Sequence, residues 1–159
     1  MGCYKDLKDK RVVVTGGASG IGLATVQRFI KEEARVACFD YNEKKLDELK
    51  KECPDALPYK VDVSSFDEVK QAFEKTDKEM GGIDVLVANA GISVRNEIID
   101  IPPEQWNNVI GINLNGVFHC AQQAGRRMKN QGSEKTNRIK YPYHFFHRCT
   151  FPCKLILNS

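Results

Sequence analysis

The chain has 159 residues, 42% hydrophobic and 28% charged, enough for one compact domain with an apolar core and too few for two ordinary ones. That balance excludes a disordered chain, and no apolar run reaches membrane-spanning length. The formal charge of +3 conceals a division: residues 1–125 carry 16 Lys and Arg against 20 Asp and Glu, whereas residues 126–159 carry eight against Glu134 alone.

At the N-terminus, MGCYKDLKDK is too charged for a signal peptide, and Asp6 stands where a myristoylation pattern places Ser or Thr. The six cysteines have no framework spacing. Free thiols and a cytoplasmic location are the expectation.

RVVVTG reads as a buried strand, and IGLATVQRFIKEEA as a helix with Ile21, Val26, Phe29 and Ile30 on one face. RVACFD is a second strand, followed by a helix in NEKKLDELKKEC with a narrow Leu46/Leu49 stripe. LPYKVDV is a third strand. SFDEVKQAFEKTDKEMGG is a Ser-capped helix ending at a glycine pair, and IDVLVANAG is a fourth strand. A long helix then runs through EQWNNVIGINLNGVFHCAQQAGRRMKNQG, with Pro at its start and Gly at its end. Repeated βα units predict a Rossmann-like, doubly wound parallel sheet with helices on both faces.

TGGASGIG lies between the first strand and the first helix, the context in which a glycine pattern is informative. Gly16, Gly20 and Gly22 let the backbone turn and approach a pyrophosphate, which amide groups and the helix dipole then hold; Thr15, Ser19 and Ile21 add hydroxyl or amide contacts. Asp40 ends the second strand, twenty residues after Gly20. There a carboxylate accepts hydrogen bonds from an adenine ribose and repels a 2′-phosphate. No basic residue occupies positions 18, 19 or 41, so NAD(H) is preferred over NADP(H), with Lys44 and Lys45 keeping the second cofactor open.

The spacing TGxxxGxG, with VDV and ANAG following in order, resembles the short-chain dehydrogenase/reductase family over about residues 8–132. The resemblance implies that Asp62 and Val63 contact the adenine ring and that Asn89, Ala90 and Gly91 line the nicotinamide side. It also implies a place for Asn113 at a helix kink, in a proton relay. The segment around Asn113 has two glycines and two asparagines, all poor helix formers, so distortion is expected there on propensity alone. Helix 104–130 is implied to pair subunits in a homo-oligomer.

Such enzymes move a hydride between nicotinamide and a carbonyl or alcohol, with Tyr as acid/base, Lys four residues later lowering its pKa, and Ser orienting the substrate oxygen. Tyr-x-x-x-Lys occurs here only at Tyr4/Lys8 and Tyr41/Lys45, both misplaced for this chemistry. Tyr141 and Tyr143 are followed four residues later by Phe and His. The expectation is an incomplete NAD-binding domain over 8–132, truncated after about four strands, with an irregular basic tail over 133–159. It keeps the cofactor half and is inactive alone, with a small-molecule substrate engaged only if the other half is supplied. KLILNS is a candidate short strand, which as a fifth strand would bring Ser159 near the family's Ser.

Two other readings of the tail are weaker. His144, His147, Cys149 and Cys153 are soft ligands in a spacing that matches no standard zinc motif, so no metal is expected. A solvated basic segment is the expectation in preference to a nucleic-acid site.

Overall fold

A computed structural model describes residues 4–131 and 154–157. Five strands, β1 (Arg11–Thr15), β2 (Arg35–Asp40), β3 (Leu57–Lys60), β4 (Val85–Ala88) and β5 (Lys154–Leu157), form one sheet in the order β3-β2-β1-β4-β5. The first four are parallel. Helices α1 (Gly20–Lys31), α2 (Glu43–Glu52) and α3 (Phe66–Met80) connect them, and α4 (Pro103–Ile110) and α5 (Val117–Gln131) follow β4.

Side chains of a strand alternate between faces, so a sheet covered on both sides needs unbroken apolar runs. In β1, Val13 faces a core with Phe39, Phe73, Leu86 and Met128, while Val12 and Val14 face one with Val26, Leu46 and Leu49. β2 divides the same way, Ala37 and Phe39 to the first core and Val36 and Cys38 to the second. Burying each large apolar side chain contributes about 1.5–3 kcal/mol, and Phe39 meets the Phe73 ring edge-on at 5.2 Å.

The helix ends follow from local chemistry. Asn42 caps α2 by accepting from Lys45 N, and Ser65 caps α3 by accepting from Glu68 N. Gly81 stops α3 in a left-handed conformation (φ 75°) that few other residues adopt. The helix after β4 is interrupted where its glycines and asparagines cluster: Gly111–Gly116 is a π turn joining α4 to α5. The expected distortion is therefore a local widening of the helix.

Three expectations need correction. Ile21 does not join the core; it is 59% exposed at the start of α1, and Leu23 packs beside Phe29 and Ile30 instead. The parallel part of the sheet ends at β4 as expected, but the candidate strand in KLILNS extends it in the other sense: Lys154–Leu157 pairs with β4, Lys154 opposite Ala88 and Leu157 opposite Val85. That pairing is antiparallel, against the direction of a repeated βα unit. Ser159, expected near the family's Ser, lies outside the described residues. On the long helix implied to pair subunits, Val117 is not available to a partner, since it packs against the first core.

Candidate dinucleotide site

The C-terminal ends of β1, β2 and β4 open onto a cleft of about 660 Å³, within the range of small-molecule sites. It lies where the chain switches from building on one side of β1 to the other, the crevice in which open α/β sheets hold ligands. Gly16, Ser19, Gly20, Ile21, Gly22, Asp40, Asp62, Val63, Asn89, Ala90 and Gly91 all line it.

The glycine loop is as tight as its spacing implies. A Cβ on Gly22 would stand 2.0 Å from Gly16 O, and one on Gly16 would stand 2.8 Å from Ala90 Cα. Around Gly20 (φ 53°) nothing lies within 4 Å, so the loop's outer side is open. Ser19 makes no side-chain cap, and the first turn of α1 holds no acidic residue. Its N–H groups are thus a donor set facing open space, the arrangement that takes a phosphate. The residues present fit a dinucleotide.

Asp40 is fixed by backbone amides: Ala18 N donates to Oδ2 at 3.0 Å and Asn42 N to Oδ1 at 2.9 Å. The carboxylate therefore ties the glycine loop to the end of β2, and each oxygen keeps lone-pair capacity toward the cleft. Asp62 is held in a turn in which Ser64 N and Ser64 Oγ donate to Oδ1 at 2.9 and 2.6 Å. The 62–64 turn packs on the π segment, and only the missing side chain of Gly116 permits it, since a Cβ there would sit 2.7 Å from Val63 Cγ2.

Asn89 Nδ2 donates to Thr15 O and Gly16 O, each at 3.1 Å, locking the end of β4 to the glycine loop. Thr15 is not a cleft residue, contrary to expectation. It is 2% exposed, and its Oγ1 accepts from Asn89 N at 3.1 Å and Ala90 N at 3.0 Å, so it braces the walls from behind. Asn113 also stands outside the lining; its amide is committed to the main chain of Ile92, which lines the cleft.

Sequence reasoning missed Phe39, Tyr41, Val61, Ile92, Asn108 and Ile112, which complete the lining. Phe39, Tyr41 and Val61 adjoin residues already singled out. Ile92, Asn108 and Ile112 carry no motif. Cys38 lies beneath the glycine loop, where burial pushes its thiol up to about 12, so it is no nucleophile at neutral pH.

Neither Tyr-x-x-x-Lys pair forms a catalytic couple. Lys8 pairs with Glu33 at 2.6 Å and Lys45 with Glu48 at 2.6 Å. No group of three or more His, Cys, Asp or Glu is placed to hold a metal among the described residues; the four zinc candidates of the tail lie outside them. No helix among the described residues is long and apolar enough to cross a membrane.

Comparison with known proteins agrees with this geometry. Residues 10–136 match the family model for short chain dehydrogenases. A 3-oxoacyl-(acyl-carrier-protein) reductase, FabG, of Thermotoga maritima is 42% identical over 121 residues, covering 73% of this chain and 49% of the relative. A 3alpha-hydroxysteroid dehydrogenase of Mediterraneibacter gnavus is 35% identical over 135 residues, covering 79% and 53%. A solved 3-ketoacyl-(acyl-carrier-protein) reductase of Brucella melitensis, complexed with NADH, superposes with a TM-score of 0.76 at 29% identity, covering 79% of this chain and 53% of that one. The chain spans about half the length of the curated relatives it matches. It belongs to the short chain dehydrogenase family.

Proposed function

We propose that this chain is the cofactor-binding half of an NAD(H)-dependent oxidoreductase acting between a carbonyl and an alcohol, and that by itself it binds the dinucleotide without turning it over. The observation that carries the reading is Asp40, held by Ala18 N and Asn42 N at the mouth of the glycine loop. A carboxylate in that place accepts ribose hydroxyls and repels a 2′-phosphate.

In this reading the amides of Gly20, Ile21 and Gly22 and the Ser19 hydroxyl hold the pyrophosphate, while Asp62 and Val63 take the adenine. Asn89, Ala90 and Gly91 form the wall on the nicotinamide side. The bound nicotinamide supplies or receives the hydride. Asn113 positions Ile92 through both ends of its amide, so any share it has in a proton relay falls to its main chain. The domain assignment is 8–132 for the cofactor unit and 133–159 for a basic tail, of which Lys154–Leu157 adds a strand to the sheet.

The substrate class follows the relatives only as far as a carbonyl or secondary alcohol, since 3-oxoacyl and steroid activities stand among them. We place the protein in the cytoplasm, in keeping with the free, buried thiols of Cys38, Cys53 and Cys120. A homo-oligomer through α4 and α5 is supported by exposed Trp106 and Phe118.

Calorimetric titration of the chain with NADH and NADPH tests the cofactor reading. NADH is expected to bind more tightly, and Asp40→Ala to weaken NADH while improving NADPH relative to it. Unchanged titrations of both in Asp40→Ala would remove Asp40 from the site.

A further inference from the structure

Asn108 lines the cleft from α4, yet its side-chain amide makes no hydrogen bond within the described protein. Its position relative to the adenine wall follows from helix geometry. A Cβ on Gly111 would lie 3.7 Å from Ser64 Cβ, so that point of the helix rests on the 62–64 turn. Residue 108, three positions earlier, shares that helix face. Asn108 and Asp62 therefore border the same end of the cleft.

The free polar atoms at that end make a pattern. Asp62 spends Oδ1 on Ser64 N and Ser64 Oγ and keeps Oδ2, which only accepts. Asn108 adds one acceptor and one two-proton donor. An amide of this kind matches the 6-amino group and N7 of adenine, whereas a 6-keto purine presents two acceptors, O6 and N7, along that edge.

We propose that Asn108 is a specificity-determining residue that hydrogen-bonds the edge of the adenine ring and selects the adenine dinucleotide over its 6-keto, hypoxanthine counterpart. This inference rests on the dinucleotide reading of the cleft. Asn107, exposed on the same helix but absent from the cleft lining, serves as the internal control.

The test is titration of the full chain with NADH and with reduced nicotinamide hypoxanthine dinucleotide. The unmodified chain is expected to favour NADH. Asn108→Ala should lose about fivefold in NADH affinity and little for the hypoxanthine dinucleotide, so the ratio narrows. Asn108→Asp, nearly isosteric and unable to donate, should lose at least as much, and Asn107→Ala nothing. An unchanged ratio in both Asn108 variants, with circular dichroism showing them folded, overturns the proposal, as does an equal loss in Asn107→Ala. Absence of NADH binding by the unmodified chain overturns the dinucleotide reading and this inference with it, whereas NADH binding without base discrimination overturns this inference alone.

Discussion

Asn113 brackets the main chain of Ile92 on both sides: its Oδ1 accepts from Ile92 N at 2.9 Å and its Nδ2 donates to Ile92 O at 2.8 Å. The pair mimics one rung of a strand ladder, made by a side chain reaching out of the π turn. It fastens the segment after β4, where Gly91 and Ile92 line the cleft, to the helix that follows. Asn113→Ala leaves both groups of Ile92 without these partners and is expected to destabilise the chain by about 1–3 kcal/mol. Asn113→Asp keeps the acceptor and loses the donor, so its cost should be smaller where the carboxylate still takes Ile92 N. Urea denaturation followed by tryptophan fluorescence measures both; equal midpoints for Asn113→Ala and the unmodified chain would show that the bracket contributes nothing.

Thr15 supports the opposite wall. Its hydroxyl oxygen accepts two main-chain N–H groups, Asn89 N and Ala90 N, at a position 2% exposed. Thr15→Val preserves shape but takes this acceptor from Ala90 N and leaves Asn89 N with Val87 O alone, at a cost of about 1–3 kcal/mol. Thr15→Ser keeps the oxygen and should recover most of that loss. Melting temperatures of the two variants decide the matter, and a Val variant as stable as the Ser variant would rule out the brace.

Arg11 and Asp84 make a partly buried ion pair that bears on pH dependence. Arg11 Nε and Nη2 grip the two carboxylate oxygens at 2.7 and 2.6 Å, and Arg11 N adds a third bond at 2.9 Å. Burial alone would raise the Asp84 carboxyl, but these hydrogen bonds outweigh it and hold the group below its ordinary range. A carboxyl lowered in the folded state stabilises above its unfolded pKa, and that stability is lost as pH falls through the folded value. Stability is thus expected to decline below about pH 4. At neutral pH Asp84→Asn should cost about 2–3 kcal/mol and flatten that acid limb. Denaturation midpoints between pH 2 and pH 7 in both proteins provide the check, and parallel pH curves would exclude Asp84 as the source.

The exposed apolar residues of α4 and its surroundings lead to a prediction about assembly. Ile98 and Ile99 are 81% and 82% exposed, Trp106 53% and Phe118 60%. Large apolar side chains exposed to this degree, where they gather into one patch, mark an interaction site or an aggregation hazard. The chain is expected to self-associate, and Trp106→Ser with Phe118→Ser to shift it toward monomer in sedimentation velocity. A concentration-independent monomer of the unmodified chain would contradict the proposed subunit contact.

What the sequence disclosed depended on how local the determining physics was. RVVVT and RVACFD are unbroken apolar runs because both faces of those strands are covered, and Ser65 and Gly81 bound α3 through chemistry confined to a few residues. Ile21 misled because a helical period marks an apolar position without saying whether the cleft or the core takes it. The antiparallel sense of β5 escaped because alternation identifies a strand but not its direction. Asn108 and Ile112, four residues apart on one helix face, were hidden because neither belongs to a motif that marks the cleft. Arg11 and Asp84 stand 73 residues apart, beyond any local pattern.

The last prediction concerns turnover. Proton transfer from a placed side chain contributes about a hundred- to ten-thousandfold to such reactions. The 159 residues offer Tyr-x-x-x-Lys only at Tyr4/Lys8 and Tyr41/Lys45. Lys8 and Lys45 are engaged by Glu33 and Glu48, Tyr4 lies beyond the cleft lining, and Tyr41 follows Asp40 at the ribose end. Tyr41 is the one tyrosine of the described residues that lines the cleft. On the proposed reading, a dinucleotide held here meets no tyrosine–lysine couple among the described residues that could protonate a carbonyl oxygen as hydride arrives. The purified chain is therefore expected to bind NADH yet oxidise none above background with a panel of ketones, 3-oxoacyl thioesters and oxosteroids. A fusion supplying a family-type second half should gain activity and lose it again on substitution of that half's Tyr. Saturable oxidation of NADH by the unfused chain, abolished by Asp40→Ala, would place the missing acid among residues of this chain and overturn the reading of it as a cofactor half.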